Sequence, residues 1–254
     1  MRLIQGVAAV LLLATGAAAH AELSGTVSAV SDYDFRGVSL SAKDPALQGS
    51  IDWAAESGFY AGAWASNIDY GDGFDGNVEL DLYGGFTGET AGGLGWDVGL
   101  VWYLYPDSSE NSTRCRDEGR DCEISDYPEL YAGVTYKWLE FKQWYSNDLS
   151  GSDEDGFYSE VNGSFELPAN FGLNVHLGYS YGDAFESPDP DFKDSEYIDY
   201  SIGVAYTLGN FDLELKWVDN DLDDDAYLYS EDDVFNTEGR VIFGVSTTFP
   251  WSKE

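Results

Sequence analysis

Alternation of apolar and polar side chains, repeated along almost the whole chain, is what most limits the fold this sequence can adopt. In residues 78–88, Val78, Leu80, Leu82 and Phe86 share one parity, while Glu79, Asp81, Tyr83 and Thr87 share the other. Successive side chains of a strand point to opposite faces, so this pattern describes a strand with one apolar and one polar face. Residues 94–105, 173–181, 198–207, 211–217 and 241–249 repeat it, with runs such as Trp96, Val98, Leu100 and Trp102. Weaker versions cover 23–35, 46–54, 58–68, 128–137, 139–147 and 156–167. Ala and Gly dilute the alternation in 58–68, and Phe141 and Trp144 have opposite parity in 139–147. The pattern predicts about twelve strands of roughly nine to twelve residues, the length a tilted strand needs to cross a bilayer. Helical periodicity is not evident after residue 21.

The connections alternate in length. Short ones fall at 55–58, 88–93, 138–139, 167–172 and 208–210, and long ones at 36–45, 69–77, 106–127, 148–155, 182–197 and 219–238. Short and long connections therefore lie at opposite ends of an up-and-down meander. Transmembrane barrels have this asymmetry, with short periplasmic turns, longer outer loops and an even number of strands. The expected fold is all-β: a transmembrane antiparallel up-and-down β-barrel of about twelve strands with long acidic outer loops.

The polarity of the faces separates this fold from a soluble sandwich, in which the apolar face would fill a core and the charged face would meet water. Here nearly every clear strand offers four to six large apolar residues, too many for one small core to absorb. Aromatics near strand ends (Trp102, Tyr103, Tyr105, Tyr127, Tyr131, Trp217 and Phe249) suit girdles at two membrane interfaces. A secreted soluble sheet protein remains the rival. The 47 acidic residues against 12 Lys and Arg give a net charge of −35, which excludes nucleic acid as a partner because phosphate binding needs a basic surface.

The N-terminus reads as an export signal over residues 1–21. Arg2 supplies the positive charge, residues 3–16 are nearly all apolar, and Ala19-His20-Ala21 is an A-x-A cleavage site. Cleavage after Ala21 leaves 22–254 as the barrel, and loss of Arg2 leaves 11 basic residues against 47 acidic. Export also places Cys115 and Cys122, the only two cysteines, in an oxidising compartment, which favours a disulfide closing a small loop. A metal site is the alternative, but two thiols without a nearby His make a poor zinc shell.

The stretch SDYDFRGVS from Ser31, followed by DPALQGSIDW from Asp44, is the most specific part of a wider similarity. It continues through 31–68, 78–105 and the segments YPELYAGVTYKW, GFYSEVNGSFELP and GLNVHLGYSYGD. On these residues the chain resembles the TorF porin family of proteobacterial outer membranes across essentially all of residues 22–254. The resemblance implies an outer-membrane β-barrel of a Gram-negative bacterium and brings no substrate with it. The partners it implies are outer-membrane lipid, signal peptidase, periplasmic chaperones and the barrel-assembly machinery. The chain departs from the common pattern of a terminal aromatic, because Pro250–Glu254 follow Phe249.

Parity also selects the residues that would line the interior. The carboxylates are Asp52, Glu79, Asp81, Asp97, Glu129, Glu140, Glu160, Glu166, Asp199, Asp212 and Glu214. The cations are Lys137, Lys142, Lys216 and Arg240. A surplus of carboxylates in a narrow lumen favours cations or polar solutes, although paired charges could instead fill a closed interior. His176, on the polar face beside Asn174 and Ser180, reads as a lumenal hydrogen-bonding residue, since no recognisable nucleophile is spaced with it. The expected function is a channel for passive diffusion, without catalytic residues or a cofactor. A non-conducting barrel with an adhesive or envelope-structural role is the alternative. Asp219, Asp221, Asp223 and Asp225 have the alternate spacing of a calcium loop, but lack its Gly and bidentate Glu, so a solvated acidic loop is favoured over a divalent site. A Cys115–Cys122 bridge would tie down the longest loop as a lid or constriction.

Overall fold

The computed structural model describes residues 22–71, 74, 76–108, 123–228, 233–234 and 237–251. Its first strand, β1 (Glu22–Val30), is followed by a two-stranded hairpin of β2 (Asp34–Phe35) and β3 (Val38–Ser39). The remaining strands are β4 (Ala46–Ala54), β5 (Phe59–Asn67), β6 (Val78–Glu89), β7 (Leu94–Leu104), β8 (Tyr127–Tyr136) and β9 (Leu139–Ser146). They continue as β10 (Gly156–Leu167), β11 (Phe171–Tyr181), β12 (Tyr197–Leu208), β13 (Phe211–Asn220) and β14 (Arg240–Phe249). β1 and β4–β14 form a closed antiparallel barrel in sequence order, sealed where β1 pairs with β14, for example Val27 opposite Thr247. Closure removes every free sheet edge, so each strand finds backbone partners on both sides. Among the described residues there is no α-helix.

The apolar parity faces outward on every barrel strand. Leu82, Leu100 and Val204 are exposed, as are Leu47, Ile51, Val241 and the Trp102 and Trp217 rings. Together they form a band that encircles the molecule, far larger than the apolar patch a water-soluble monomer carries. The ambiguous strands resolve in the same way. In β9, Phe141 is exposed and Trp144 is buried, so their opposite parity reflects one ring outside and one inside. In β5 the inward Trp64 packs on Tyr33, and Gly and Ala supply much of the rest.

Three expectations need correction. The first strand does not extend to residue 35: it stops at Val30, and residues 31–41 turn into the barrel, while 42–45 return at its mouth with Asp44 and Pro45 exposed. Tyr103, Tyr105, Tyr127 and Tyr131 do not contribute to an outward girdle, because they share the parity of Asp97 and Glu129 and are buried in the interior. Lys137 does not face the lumen. With Trp138 it forms the two-residue turn between Tyr136 and Leu139, at φ 60°, exposed and with its ammonium 5.0 Å from the Tyr136 ring. Residues 1–21 and the pair Cys115 and Cys122 lie outside the described residues, so the signal and the disulfide have no structural counterpart here.

Candidate functional site: the barrel interior

Fourteen of the sixteen predicted lumenal residues lie on the inward face in the body of the wall: Asp52, Glu79, Asp81, Asp97, Glu129, Glu140, Lys142, Glu160, His176, Asp199, Asp212, Glu214, Lys216 and Arg240. Glu166 shares that parity but is exposed at the short-turn rim. Lys137 is the exception described above.

The half of the interior nearest the long loops is filled. Its occupant is the β2–β3 hairpin. The two pairs Asp34–Ser39 and Phe35–Val38 leave Arg36 and Gly37 as a two-residue turn, with φ of 50° and 82°. Two successive positive φ values are the geometry of a tight hairpin turn whose twist matches its strands. Its base is knotted by Asp32, which accepts from the Ser39 hydroxyl at 2.5 Å and the Ser41 hydroxyl at 3.2 Å.

The tip reaches walls on several sides of the barrel. Arg240 on β14 pairs through Nε with Asp32, and donates through Nη2 to Asp34 at 2.9 Å and through Nη1 to the Gly37 carbonyl at 2.9 Å. Lys216 on β13 donates to Asp34 at 2.7 Å, and the Asn220 amide donates to the Gly37 carbonyl at 2.9 Å. Burial raises the Asp34 pKa, but the Lys216 and Arg240 charges outweigh it and hold the carboxyl below its ordinary value. Elsewhere on the wall, Arg36 forms a two-pronged pair with Glu129 on β8 at 2.9 and 2.6 Å. The Tyr33 hydroxyl donates to Glu79 at 2.7 Å. Gly37 sits so close to β12 that a Cβ there would lie 2.5 Å from that of Asp199, so only glycine seats the tip.

The half nearest the short turns is built differently. Its carboxylates are held mainly by neutral donors. Asp52 accepts from Ser50 at 2.7 Å and from Tyr83, and Asp97 accepts from Tyr60 at 2.7 Å. Glu214 accepts from Asn174 at 3.1 Å, and at mid-height Glu160 accepts from the Trp144 indole at 2.8 Å and from Asn162 at 2.9 Å. Lys142 lies 3.8 Å from Glu140, with its ammonium 5.2 Å from the Tyr131 and Trp144 rings. Tyr83 and Tyr131 lie flat along the wall over Gly62 and Gly99 of the neighbouring strands, where a Cβ would come within 2.6 Å of the ring. His176 bridges the halves: Nε2 is 2.7 Å from Asp199 and 2.9 Å from the Tyr158 hydroxyl, and Nδ1 is 2.6 Å from Asn162.

The four aspartates with calcium-loop spacing are not brought to one point. Asp221 accepts the Ile198 amide at 2.5 Å, and Asp219 meets the Tyr200 hydroxyl at 3.4 Å. Asp223 and Asp225 bracket Lys193, at 2.6 and 3.6 Å, and the ammonium hydrogen bond holds Asp223 below the ordinary carboxylate range. Asp223, Asp224 and Asp225 do cluster, with carboxylate oxygens within 4.8 Å of one another, but Lys193 already supplies the cation there.

Sequence reasoning missed Asp32, Asp34 and Arg36, the charges that seat the hairpin. The available signal was an Arg-Gly turn between short alternating runs, together with two inward cations, Lys216 and Arg240, on adjoining strands.

A family model described as a bacterial protein of unknown function (Gcw_chp) matches residues 14–249. No curated protein matches the chain. Among solved structures, the KdgM porin aligns with a TM-score of 0.51 at 11% identity, covering 89% of this chain and 99% of that one. The NanC porin aligns at 0.54 and 10% identity, covering 89% and 99%. An outer-membrane channel from Pseudomonas putida F1 aligns at 0.52 and 10% identity, covering 93% and 97%. The KdgM porin has also been solved in complex with disordered oligogalacturonate. At these identities the likeness is one of fold.

Proposed function

Since the chain belongs to the Gcw_chp family of bacterial proteins of unknown function, we propose from its own geometry that it is a channel of a Gram-negative outer membrane, passing small polar or cationic solutes by diffusion. The observation that carries the reading is the contrast between the two faces of the closed wall: apolar outward on every strand, carboxylate-rich inward. An apolar band of this extent is stable only against hydrocarbon, and residues 1–21 supply the export signal that takes the chain there. The short turns and both strand termini, Glu22 and Phe249, then face the periplasm. The resemblance to the TorF porins and the fold shared with KdgM and NanC support the same class.

The charge of the interior sets the solute. Asp52, Asp97, Glu160 and Glu214 are not matched by an equal number of free cations, so the potential in a narrow lumen attracts positive charge. An oligogalacturonate, the polyanion held by the KdgM porin, would be repelled here. Because the seated hairpin packs the half nearest the long loops, passage on this reading requires the hairpin to shift from its seat. On this reading His176, hydrogen-bonded to Tyr158, Asn162 and Asp199, is part of the wall.

Planar-bilayer recording of the purified chain tests this. The expected result is ohmic steps whose reversal potential in a salt gradient favours the cation. Preference for chloride would overturn the lumenal assignment. Silence at every voltage would leave the non-conducting structural or adhesive barrel, which the packed hairpin also suits. Spin labels at Leu82, Leu100 and Val204 should meet dissolved oxygen and escape aqueous quenchers. The reverse result, or recovery of the chain without detergent, would return the soluble sheet protein.

A further inference from the structure

The pocket that receives Arg36 is built almost entirely by the barrel. Glu129 on β8, 2% exposed, takes the guanidinium with both oxygens at 2.9 and 2.6 Å and accepts the Tyr103 hydroxyl from β7 at 3.0 Å. The Tyr158 ring on β10 lies 4.3 Å from the guanidinium carbon, and the Trp144 ring on β9 lies 5.7 Å away. These four residues stand on four consecutive strands, and strand pairing sets Trp144 directly opposite Tyr158. Their backbone positions are set by the strand ladder, not by the hairpin. From its own segment the hairpin adds only Arg36 and the Phe35 ring at 4.7 Å. A carboxylate fork ringed by aromatic faces is the arrangement that recognises a planar cation. Delivery of Arg36 requires φ of 50°, a conformation a non-glycine residue adopts at a cost.

We propose that this pocket is a binding site for free guanidinium compounds and that Arg36 is its tethered occupant. A guanidinium solute entering the lumen competes with Arg36 for Glu129. Once it is bound, the tip of the hairpin loses its ion pair to β8 and keeps its polar contacts to Lys216, Asn220 and Arg240 on β13–β14, with Gly37 against Asp199 on β12 and Phe35 edge-on to Tyr103 on β7. Solute occupancy and hairpin seating are then coupled, each weakening the other by the same factor. Because the tether gives Arg36 an effective concentration in the millimolar range, an external ligand displaces it only above that range, whereas a pocket emptied by mutation should respond below it. The proposal deepens the channel reading by naming a solute class for the same lumen, but binding can be read without conduction.

The test uses the full chain in detergent with R36A, whose pocket is vacant, and methylguanidinium chloride as the probe. At about ten times its Kd the probe should raise the R36A midpoint of thermal unfolding by about 3 °C over sodium chloride at the same ionic strength. Methylammonium should raise it less, and R36A/E129Q should show no rise. Wild type should need a several-fold higher concentration. If methylguanidinium does no more than sodium, or acts equally on R36A/E129Q, the site is wrong and Arg36 is a structural latch only. Should R36A fail to assemble, R36K serves instead, because its single ammonium cannot make the two-pronged contact and should yield to the same probe. Bilayer recording separates the two ideas. Silence with the thermal response intact removes the channel and keeps the site, whereas cation conductance without the response does the reverse.

Discussion

The two halves of the interior share the same strands, yet one is solid and the other polar and partly open. Toward the long loops, Tyr33, Val38, Leu40, Tyr103, Tyr127 and Leu222 are buried, and Glu79 and Asp199 are almost completely withdrawn from solvent. Toward the short turns, Asn174, Asp212 and Glu214 keep partial exposure, and Glu166 and Thr248 are open. Part of the difference is the wall's own, since Tyr103, Tyr127, Trp144 and Tyr158 point inward at the long-loop level, and the long loops add Phe185 and Leu222. Residues 31–41 fill the space between them with Tyr33, Phe35, Val38 and Leu40. They bring Asp32 and Asp34 to a wall carrying Lys216 and Arg240, and Arg36 to a wall carrying Glu129, so the hairpin's charges complement the field across the lumen. A barrel wall fixes where a plug can sit, and a plug of suitable charge converts half of a water-filled tube into a packed core.

The comparison breaks most easily at Arg240. Arg240→Ala removes the contacts to Asp32, Asp34 and the Gly37 carbonyl together. It leaves two buried carboxylates facing Lys216 alone, at a cost of about 3–5 kcal/mol to the seated hairpin. The strands remain paired, because Arg240 contributes to the ladder only through its backbone. Trypsin should then cut detergent-solubilised protein at Arg36 or Lys43, sites resistant in wild type, and conductance should rise. If R240A remains resistant, the two halves are not distinguished by the hairpin. Gly37→Ala acts through shape rather than charge, since its Cβ meets Asp199 and its φ is 82°. Strain and overpacking together should cost about 2–3 kcal/mol. The expected result is the same trypsin pattern at a lower rate, measured beside R240A.

What the sequence reveals follows from periodicity. Alternation carried Leu82, Leu100 and Val204 outward and Glu79, Asp97 and His176 inward, because a strand has no other way to place them. The hairpin was hidden for the same reason. Residues 31–35 carry on the alternation of β1, with Tyr33 and Phe35 in step with Val27, so periodicity alone cannot mark where the chain leaves the wall. What turns it inward is a set of pairs far apart in sequence: Asp32 with Arg240, Asp34 with Lys216, Arg36 with Glu129. The buried tyrosines were misread by a related step. Tyr103 and Tyr131 lie near strand ends, where interface girdles occur, but their parity is that of Asp97 and Glu129. Where position along a strand and parity disagree, parity decides which side of the wall a ring occupies.

Acidification gives the smallest expected effect and the sharpest view of one contact. The Asp34 carboxyl is held below its ordinary pKa by Lys216 and Arg240 despite its burial. A carboxyl whose folded pKa is depressed stabilises the seated hairpin at pH above its unfolded value, about 3.9, and that stability is lost as pH falls through the lower folded value. Asp34 therefore leaves the hairpin insensitive to pH from neutrality down to about 4, with loosening only in stronger acid. A spin label at Ala42, on the hairpin's return limb, should stay immobile from pH 7 to about 4 and gain mobility below that, while a label at Thr135 in the short-turn half shows no matching step. In Asp34→Asn the acid step should shrink, since the amide cannot lose a charge. A step centred near pH 6 that persists in D34N would mean that another group holds the hairpin, and the charge complementarity assigned to Asp34 would be wrong.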